Sequence, residues 1–102
     1  MAFKTSINDG LAELLLDKPP VNAFDSGEWH ELAGLFTQRG DDPSVNVVLC
    51  RNEGRGFCAG VDVKELAADS SRIVEVNHGC YDTFAAIHDC AVPVVMAVSG
   101  FC

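Results

Sequence analysis

Two valine-rich apolar runs, Val45–Cys50 and Val92–Ser99, set the strongest limits on the fold of this chain. Neither run alternates regularly with polar residues, and such continuous runs are typical of strands buried on both faces of a parallel sheet. Apolar residues recur at helical spacing between the two runs, at Ile73, Val76, Cys80, Phe84 and Ile87. Parallel strands joined through a helix need a crossover connection. The sequence therefore predicts an α/β fold with a largely parallel sheet.

The first part of the chain predicts a hairpin followed by a stiff loop. The segments Phe3–Ile7 and Leu11–Leu16 flank the turn residues Asp9-Gly10, so they are expected to pair as a β-hairpin. The loop Lys18–Ala23 contains two consecutive prolines, which remove backbone donors and fix φ. This loop is therefore expected to be neither helix nor central strand.

Helix boundaries are indicated by capping residues. Asp25 and Glu28 have the spacing of a capping box, which predicts a helix over Ser26–Arg39 with Gly40 as the residue that ends it. Two further helices are expected, a short one at Val63–Ala68 and a longer one at Arg72–His88.

Length, charge and cysteine content exclude several classes of protein. The 102 residues suffice for one domain, residues 1–102, and the net charge of −8 argues against nucleic-acid binding, which needs a basic surface. No apolar run approaches the ~20 residues of a membrane span, and the N-terminus lacks the order of a signal peptide, so we expect a cytoplasmic protein. The five cysteines form no C-x-x-C pattern, which predicts reduced thiols and no metal site.

A glycine-rich loop, Arg51–Asp62, follows the first valine-rich run. Ligands of open α/β sheets gather at the carboxyl ends of strands, and glycines allow a ligand to approach the backbone closely. The loop lacks the Gly-Lys-Ser/Thr of a phosphate-binding Walker loop and the G-x-G-x-x-G spacing of a dinucleotide site. From spacing alone, a ligand-binding loop and a plain connector both stay open.

Four segments in register resemble the crotonase superfamily, the enoyl-CoA hydratase/isomerase family. GRGFCAGVDVKEL at residues 54–66 is similar to its signature loop, and KPPVNA at residues 18–23 to its early R/K-P-x-x-N-A loop. DPSVNVVLC at residues 42–50 and PVVMAVSGF at residues 93–101 resemble two of its strands. The resemblance implies the N-terminal half of a crotonase-like ββα-superhelix fold. A weaker likeness, at Cys80-Tyr81 and Asp89–Pro93, points to an actinobacterial branch linked to sterol-ring breakdown.

The resemblance also implies a chemistry. Family members bind an acyl-CoA thioester, with coenzyme A as part of the substrate and no separate cofactor, and hold its oxyanion with two backbone N–H groups. The first of these corresponds to the N–H of Val61. The expected CoA- or substrate-binding residues are Ala23, Arg55, Ala59, Gly60, Val61, Asp62, Val63 and Lys64.

Several roles remain open at this level. Arg55 and Lys64 are candidates for the CoA phosphates or are solvated loop charges. Asp62 is expected to cap the short helix rather than transfer protons, and Cys58 to serve as small packing rather than as a nucleophile, since no histidine partner is evident.

The resemblance favours hydration of a 2-enoyl-CoA, with isomerase and hydrolase reactions as alternatives. A truncated or non-catalytic CoA-thioester-binding or assembly module is a further alternative, as is an unrelated small α/β domain. The family's second oxyanion donor and its catalytic glutamates come after a strand like the one that ends near Ser99. We therefore expect a chain cut partway through a larger domain, or a domain completed by a partner chain, and a homotrimer or hexamer at full length.

Residues 1–102 alone are predicted to be inactive on crotonyl-CoA. Loss of one oxyanion donor lowers rates by roughly 10²–10³-fold, and loss of the acid–base group lowers them further. The measurement is hydration of crotonyl-CoA followed by its ultraviolet absorbance, with the protein-free reaction as control. Hydration above that background by this polypeptide would contradict the prediction.

Overall fold

The computed structural model describes residues 2–102, which form six strands and three α-helices. The strands are β1 (Phe3–Asn8), β2 (Leu11–Leu16), β3 (Ala23–Phe24), β4 (Val47–Asn52), β5 (Gly60–Val61) and β6 (Val94–Ala97). The helices are α1 (Ser26–Asp41), α2 (Val63–Ala68) and α3 (Ile73–His88), and a single 3₁₀ turn at Ser70–Arg72 precedes α3.

The main sheet has four strands in the order β1-β2-β4-β6. β1 and β2 form the expected antiparallel hairpin. β2 pairs in parallel with β4, and β4 pairs in parallel with β6. β3 and β5 form a separate two-stranded parallel sheet. The α/β class and the largely parallel pairing are therefore confirmed.

The core lies between β2, β4 and α1. Alternate residues of β2 and β4 are buried, as expected for strands with one face in a core, and α1 presents its apolar side to them. α3 packs against α1 through Val76, Gly79 and Thr83, which are its buried residues. The central members of the core are Ala12, Leu14, Leu16, Phe24, Trp29, Leu32, Phe36, Val48 and Cys50.

The start of α1 follows the prediction and its end does not. The Glu28 N–H donates to Asp25 Oδ1 (2.8 Å) and the Asp25 N–H donates to Glu28 Oε1 (2.9 Å), which completes the capping box. The helix runs through Gly40 to Asp41, so the prediction that Gly40 ends it is wrong. Gly40 is a glycine for a packing reason, because an added Cβ would collide with the side chain of Cys90.

The second valine-rich run differs from the prediction. Its strand covers only Val94–Ala97 and is an edge strand, with Val95 49% and Met96 38% exposed, so burial on both faces is wrong for the described chain. The other run forms a strand two residues later than predicted, at Val47–Asn52, and only its alternate residues Val48 and Cys50 are buried, so burial on both faces is wrong there as well. Ala23 of β3 and both residues of β5 lie in segments that the sequence predicts as loops.

None of the helices in residues 2–102 is both long and apolar enough to cross a bilayer.

Gly79→Ala is expected to destabilise the fold, whereas Gly34→Ala is not. A Cβ at Gly79 would lie 2.7 Å from Trp29 Cβ, while a Cβ at Gly34 has no heavy atom within 4 Å. Overpacking costs about 1–3 kcal/mol, and replacing a helical glycine by alanine in open space stabilises by up to about 1 kcal/mol.

The measurement is the free energy of unfolding from urea denaturation, with Gly34→Ala as the matched control. Equal effects of the two substitutions would contradict close packing of α3 on α1.

Candidate active site

Two loops meet at one edge of the main sheet, and together they form the candidate site. Residues 17–22 follow β2 and residues 53–59 follow β4. Because β2 and β4 are parallel, their carboxyl ends lie at the same edge. This is the edge at which ligands of α/β sheets bind.

The buried side chain of Asn22 joins these two loops. Its Nδ2 donates to the carbonyl oxygens of Gly56 (3.2 Å) and Phe57 (3.0 Å), and its Oδ1 accepts from the Lys18 N–H (2.7 Å). Asn22 is 3% exposed and has a φ of 56°, a left-handed conformation that asparagine tolerates better than most residues. An amide that both donates and accepts is thus needed at a position with positive φ.

The short β3–β5 pairing fixes the direction of one backbone N–H. Phe24 lies opposite Val61 in the parallel ladder, and the next N–H along, that of Asp62, donates to the Phe24 carbonyl (2.8 Å). Successive N–H groups of an extended strand point to opposite sides. The N–H of Val61 is therefore directed away from β3.

Gly60 gives this peptide its geometry. Its φ is +105°, a conformation that L side chains rarely adopt, although a Cβ there would meet no atom within 4 Å. The glycine is thus required by backbone conformation rather than by space.

An apolar cleft of about 330 Å³ lies beside the Gly60–Val61 peptide, and Gly60 forms part of its wall. Its wall includes Trp29, whose ring meets Phe24 edge-on at a centroid distance of 5.5 Å. Phe84, which is largely exposed, lies on the same wall, 6.4 Å from Trp29 between centroids. The cleft is also lined by Leu16, Leu32, Phe36, Cys50, Phe57, Cys58, Ala59, Thr83, Ile87, Met96 and Cys102.

A second cleft of about 360 Å³ is lined by Val61 and by the loop that precedes β3. It brings together six of the residues that the sequence predicts for substrate binding: Ala23, Ala59, Val61, Asp62, Val63 and Lys64. Ala59 lines both clefts, so the two adjoin. Gly60 lines the apolar cleft instead, and Arg55 is exposed and lines neither.

The basic residues near the site differ in their partners. Arg51 forms ion pairs with Glu13 and Glu53. Among the described residues, the side chains of Lys64 and Arg55 form no ion pair within 4.0 Å. Lys64 is thus the basic side chain that both lines the second cleft and carries an unneutralised charge.

Asp62 caps α2, as the sequence predicts, because its Oδ1 accepts from the Lys64 N–H (3.0 Å). Cys58 lies partly buried, and its Sγ accepts from the Gly60 N–H (3.4 Å). Burial raises the pKa of the Cys58 thiol, and burial raises the pKa of Cys50 to about 12. Both thiols are therefore protonated near neutral pH and are poor nucleophiles, in keeping with a packing role for Cys58.

Residues 2–102 place no group of three or more His, Cys, Asp or Glu side chains where they could hold a metal ion.

Three residues at the site were given no role by sequence reasoning. Lys18 and Asn22 belong to the KPPVNA loop and Glu65 belongs to the signature segment, yet their contacts reach across 10 to 44 positions of the chain. One local signal was available for Asn22: asparagine is the natural choice for a positive φ at the end of a proline-stiffened loop.

Comparison with known proteins shows the family to which the chain is related. A family model described as enoyl-CoA hydratase/isomerase matches residues 6–102. A "(7aS)-7a-methyl-1,5-dioxo-2,3,5,6,7,7a-hexahydro-1H-indene-carboxyl-CoA hydrolase" of Rhodococcus jostii is 50% identical over 100 residues, 96% of this chain and 39% of that protein. A hydrolase of the same name from Mycobacterium tuberculosis is 42% identical, over 96% of this chain and 40% of that protein.

The fold is shared with a solved enoyl-CoA hydratase of Mycobacterium smegmatis, with a TM-score of 0.87 and 27% identity. The similarity covers 96% of this chain and 40% of that one. The chain thus spans about two fifths of the length of the proteins that it matches.

Asn22→Ala is expected to lower the free energy of unfolding by about 2–4 kcal/mol. It leaves the Phe57 carbonyl without this donor and the Lys18 N–H without its acceptor, at roughly 1–3 kcal/mol, while the Gly56 carbonyl keeps the Asn52 amide as a donor. It also places a Cβ without compensation at positive φ, at roughly 1–2 kcal/mol.

Asn22→Gly separates the cost of the lost hydrogen bonds from the cost of the positive φ. Glycine adopts this φ without strain, so this variant loses only the hydrogen bonds of the side chain. The measurement is chemical denaturation, with Asn77→Ala on the exposed side of α3 as control. A loss no larger for Asn22→Ala than for that control would show that the two loops do not depend on this amide.

Proposed function

Since the chain belongs to the enoyl-CoA hydratase/isomerase family, we propose that the protein binds an acyl-CoA and stabilises negative charge on its thioester oxygen with the N–H of Val61. The observation that carries the proposal is the direction of this N–H, which points away from β3. Gly60 lines one cleft and Val61 lines the cleft that adjoins it. A backbone donor held in advance of the reaction needs no reorganisation when charge develops.

The two clefts suit the two parts of such a substrate. The apolar cleft would take the acyl group, because its wall is built from aromatic and aliphatic side chains. The second cleft would take the CoA portion, with the Lys64 ammonium available to a phosphate. The thioester would then lie at the Gly60–Val61 peptide. In a poorly hydrated cleft, one N–H to an oxyanion is worth more than it is in water.

Among residues 2–102, no acid is placed to act as a general base at this point. Asp62 is the acid that lines either cleft, and it both caps α2 and pairs with Lys18 (3.5 Å). We therefore assign the base and the second oxyanion donor to polypeptide outside residues 1–102. The chain's share, about two fifths of its relatives' length, fits this division.

Two reactions are candidates, and we favour hydrolysis over hydration. The Rhodococcus and Mycobacterium tuberculosis relatives, at 50% and 42% identity, are hydrolases of a fused-ring dione carried as a CoA thioester. A bulky cyclic acyl group also suits a wide apolar cleft of about 330 Å³. Hydration of a 2-enoyl-CoA is the second candidate, favoured by the solved hydratase of the same fold. Assembly as a homotrimer or hexamer and location in the cytoplasm remain predictions from family resemblance.

Val61→Pro is expected to abolish enolate stabilisation, because proline has no N–H. The probe is acetoacetyl-CoA, whose enolate absorbs in the near ultraviolet, so the readout does not depend on which reaction the enzyme performs. The bound enolate fraction should fall by about 10²-fold or more, in line with the loss of one oxyanion donor. Val61→Ala, which keeps the N–H, should retain the signal.

Far-ultraviolet circular dichroism of both variants checks that the fold is kept. A folded Val61→Pro protein with an unchanged enolate band would reject the role of this N–H. Binding of acetoacetyl-CoA without any enolate band in the wild type would instead support a non-catalytic binding module.

A further inference from the structure

We propose that Lys18 is a positioning residue, which holds α2 and the adjoining Val61 N–H in place by pairing with carboxylates of two helix starts, and that it is not an anchor for the CoA phosphates. This inference rests on the proposed function and deepens it. It concerns what fixes the oxyanion donor rather than what the donor does.

The need for such a residue follows from how α2 is held. The helix has six residues and none of them is buried. Its position therefore cannot come from burial of an apolar face, which is what usually fixes a helix on a protein. Polar contacts of its N-cap and first turn must supply most of the restraint.

Lys18 supplies the contact at the N-cap. Its ammonium lies 2.5 Å from Glu28 Oε1 and 3.5 Å from Asp62 Oδ2. Glu28 is the capping-box glutamate of α1, and Asp62 is the N-cap of α2 and follows Val61 directly. One ammonium thus joins the starts of two helices. All three side chains are at least two thirds buried, so solvent screens these pairs less than it screens pairs on the open surface.

Glu65 supplies a second contact between the same helices. Its Oε1 accepts from the N–H of Ser26 (3.0 Å), and its Oε2 accepts from the Ser26 hydroxyl (2.8 Å). Ser26 is the first residue of α1, so Glu65 satisfies a backbone donor that has no partner within that helix. The Arg72 guanidinium donates to the same hydroxyl (2.9 Å).

The charges around Lys18 argue against a role in phosphate binding, although it lines the second cleft. Glu28, Asp62 and Asp25 all act on the ammonium, so the group as a whole is net negative. Burial lowers the pKa of Lys18, but the hydrogen bond with Glu28 and the three carboxylates together raise it, so the side chain stays charged. A phosphate approaching this group would meet more negative charge than positive.

The experiment compares two thioesters, one with the CoA phosphates and one without. Acetoacetyl-CoA and the acetoacetyl thioester of N-acetylcysteamine are bound to the protein as its own gene expresses it, and the enolate band is measured. Lys18→Met should lower the enolate fraction by about tenfold or more with both thioesters. Lys18→Arg keeps the charge and can bridge both carboxylates, so its enolate fraction should stay close to that of the wild type. Lys4→Met is the matched control, because Lys4 also pairs with a carboxylate, that of Asp17, but on the exposed hairpin.

Hydrogen exchange provides a second readout that needs no ligand. Amides of residues 61–68 should exchange about tenfold faster in Lys18→Met than in the wild type, while amides of β2 and β4 keep their rates. A loss confined to acetoacetyl-CoA would make Lys18 a phosphate anchor and overturn the inference. Where the wild type forms the enolate, an unchanged enolate band in Lys18→Met would also overturn it, and so would unchanged exchange. If the wild type binds neither thioester but exchange rises as expected, the proposed function fails while the anchoring role stands.

Discussion

The candidate site depends on one buried amide. Asn22 connects the loop after β2 to the loop after β4 through hydrogen bonds to both loops. The second loop leads directly into Gly60 and Val61, so the same amide sets where β5 meets β3. Hydrogen bonds of this kind contribute modestly when made, yet leaving their partners unsatisfied is costly. The amide therefore selects one arrangement of the loops more than it adds to overall stability.

The fold was predictable wherever one local pattern decides the outcome. The hairpin, the capping box of α1 and the short helix α2 each depend on residues within a few positions of one another, and their boundaries agree closely with prediction. Gly40 and β6 show where local patterns fail. Glycine near a helix end usually marks a left-handed cap, but Gly40 is small because Cys90 packs against it. The Val92–Ser99 run has the composition of a central strand, and its exposure in the described chain depends on which strands pair with it.

The site was predictable as a set of residues but not as a set of contacts. Family resemblance indicated eight binding residues in two loops, and six of these residues line one cleft. Nothing in the sequence shows that Lys18 meets Asp62, 44 positions away, or that Glu65 meets Ser26. Resemblance also suggested Arg55 as a binding residue, whereas its side chain is exposed and lines neither cleft. Charge partners are tertiary properties, and they decide which basic residue is free to meet a ligand.

The N–H that points away from β3 belongs to the backbone of Val61. Its presence is therefore independent of the side chain at this position, which would not be so for a side-chain donor. Nearly any substitution at position 61 keeps the donor, while the side chain there lines the second cleft and shapes it. The position can therefore vary in size and polarity without loss of the N–H that we propose stabilises charge. Glycine at position 60 has no such freedom, because its φ of +105° excludes most alternatives. Adjacent residues are thus under opposite constraints, and substrate preference can diverge at one while the other stays fixed.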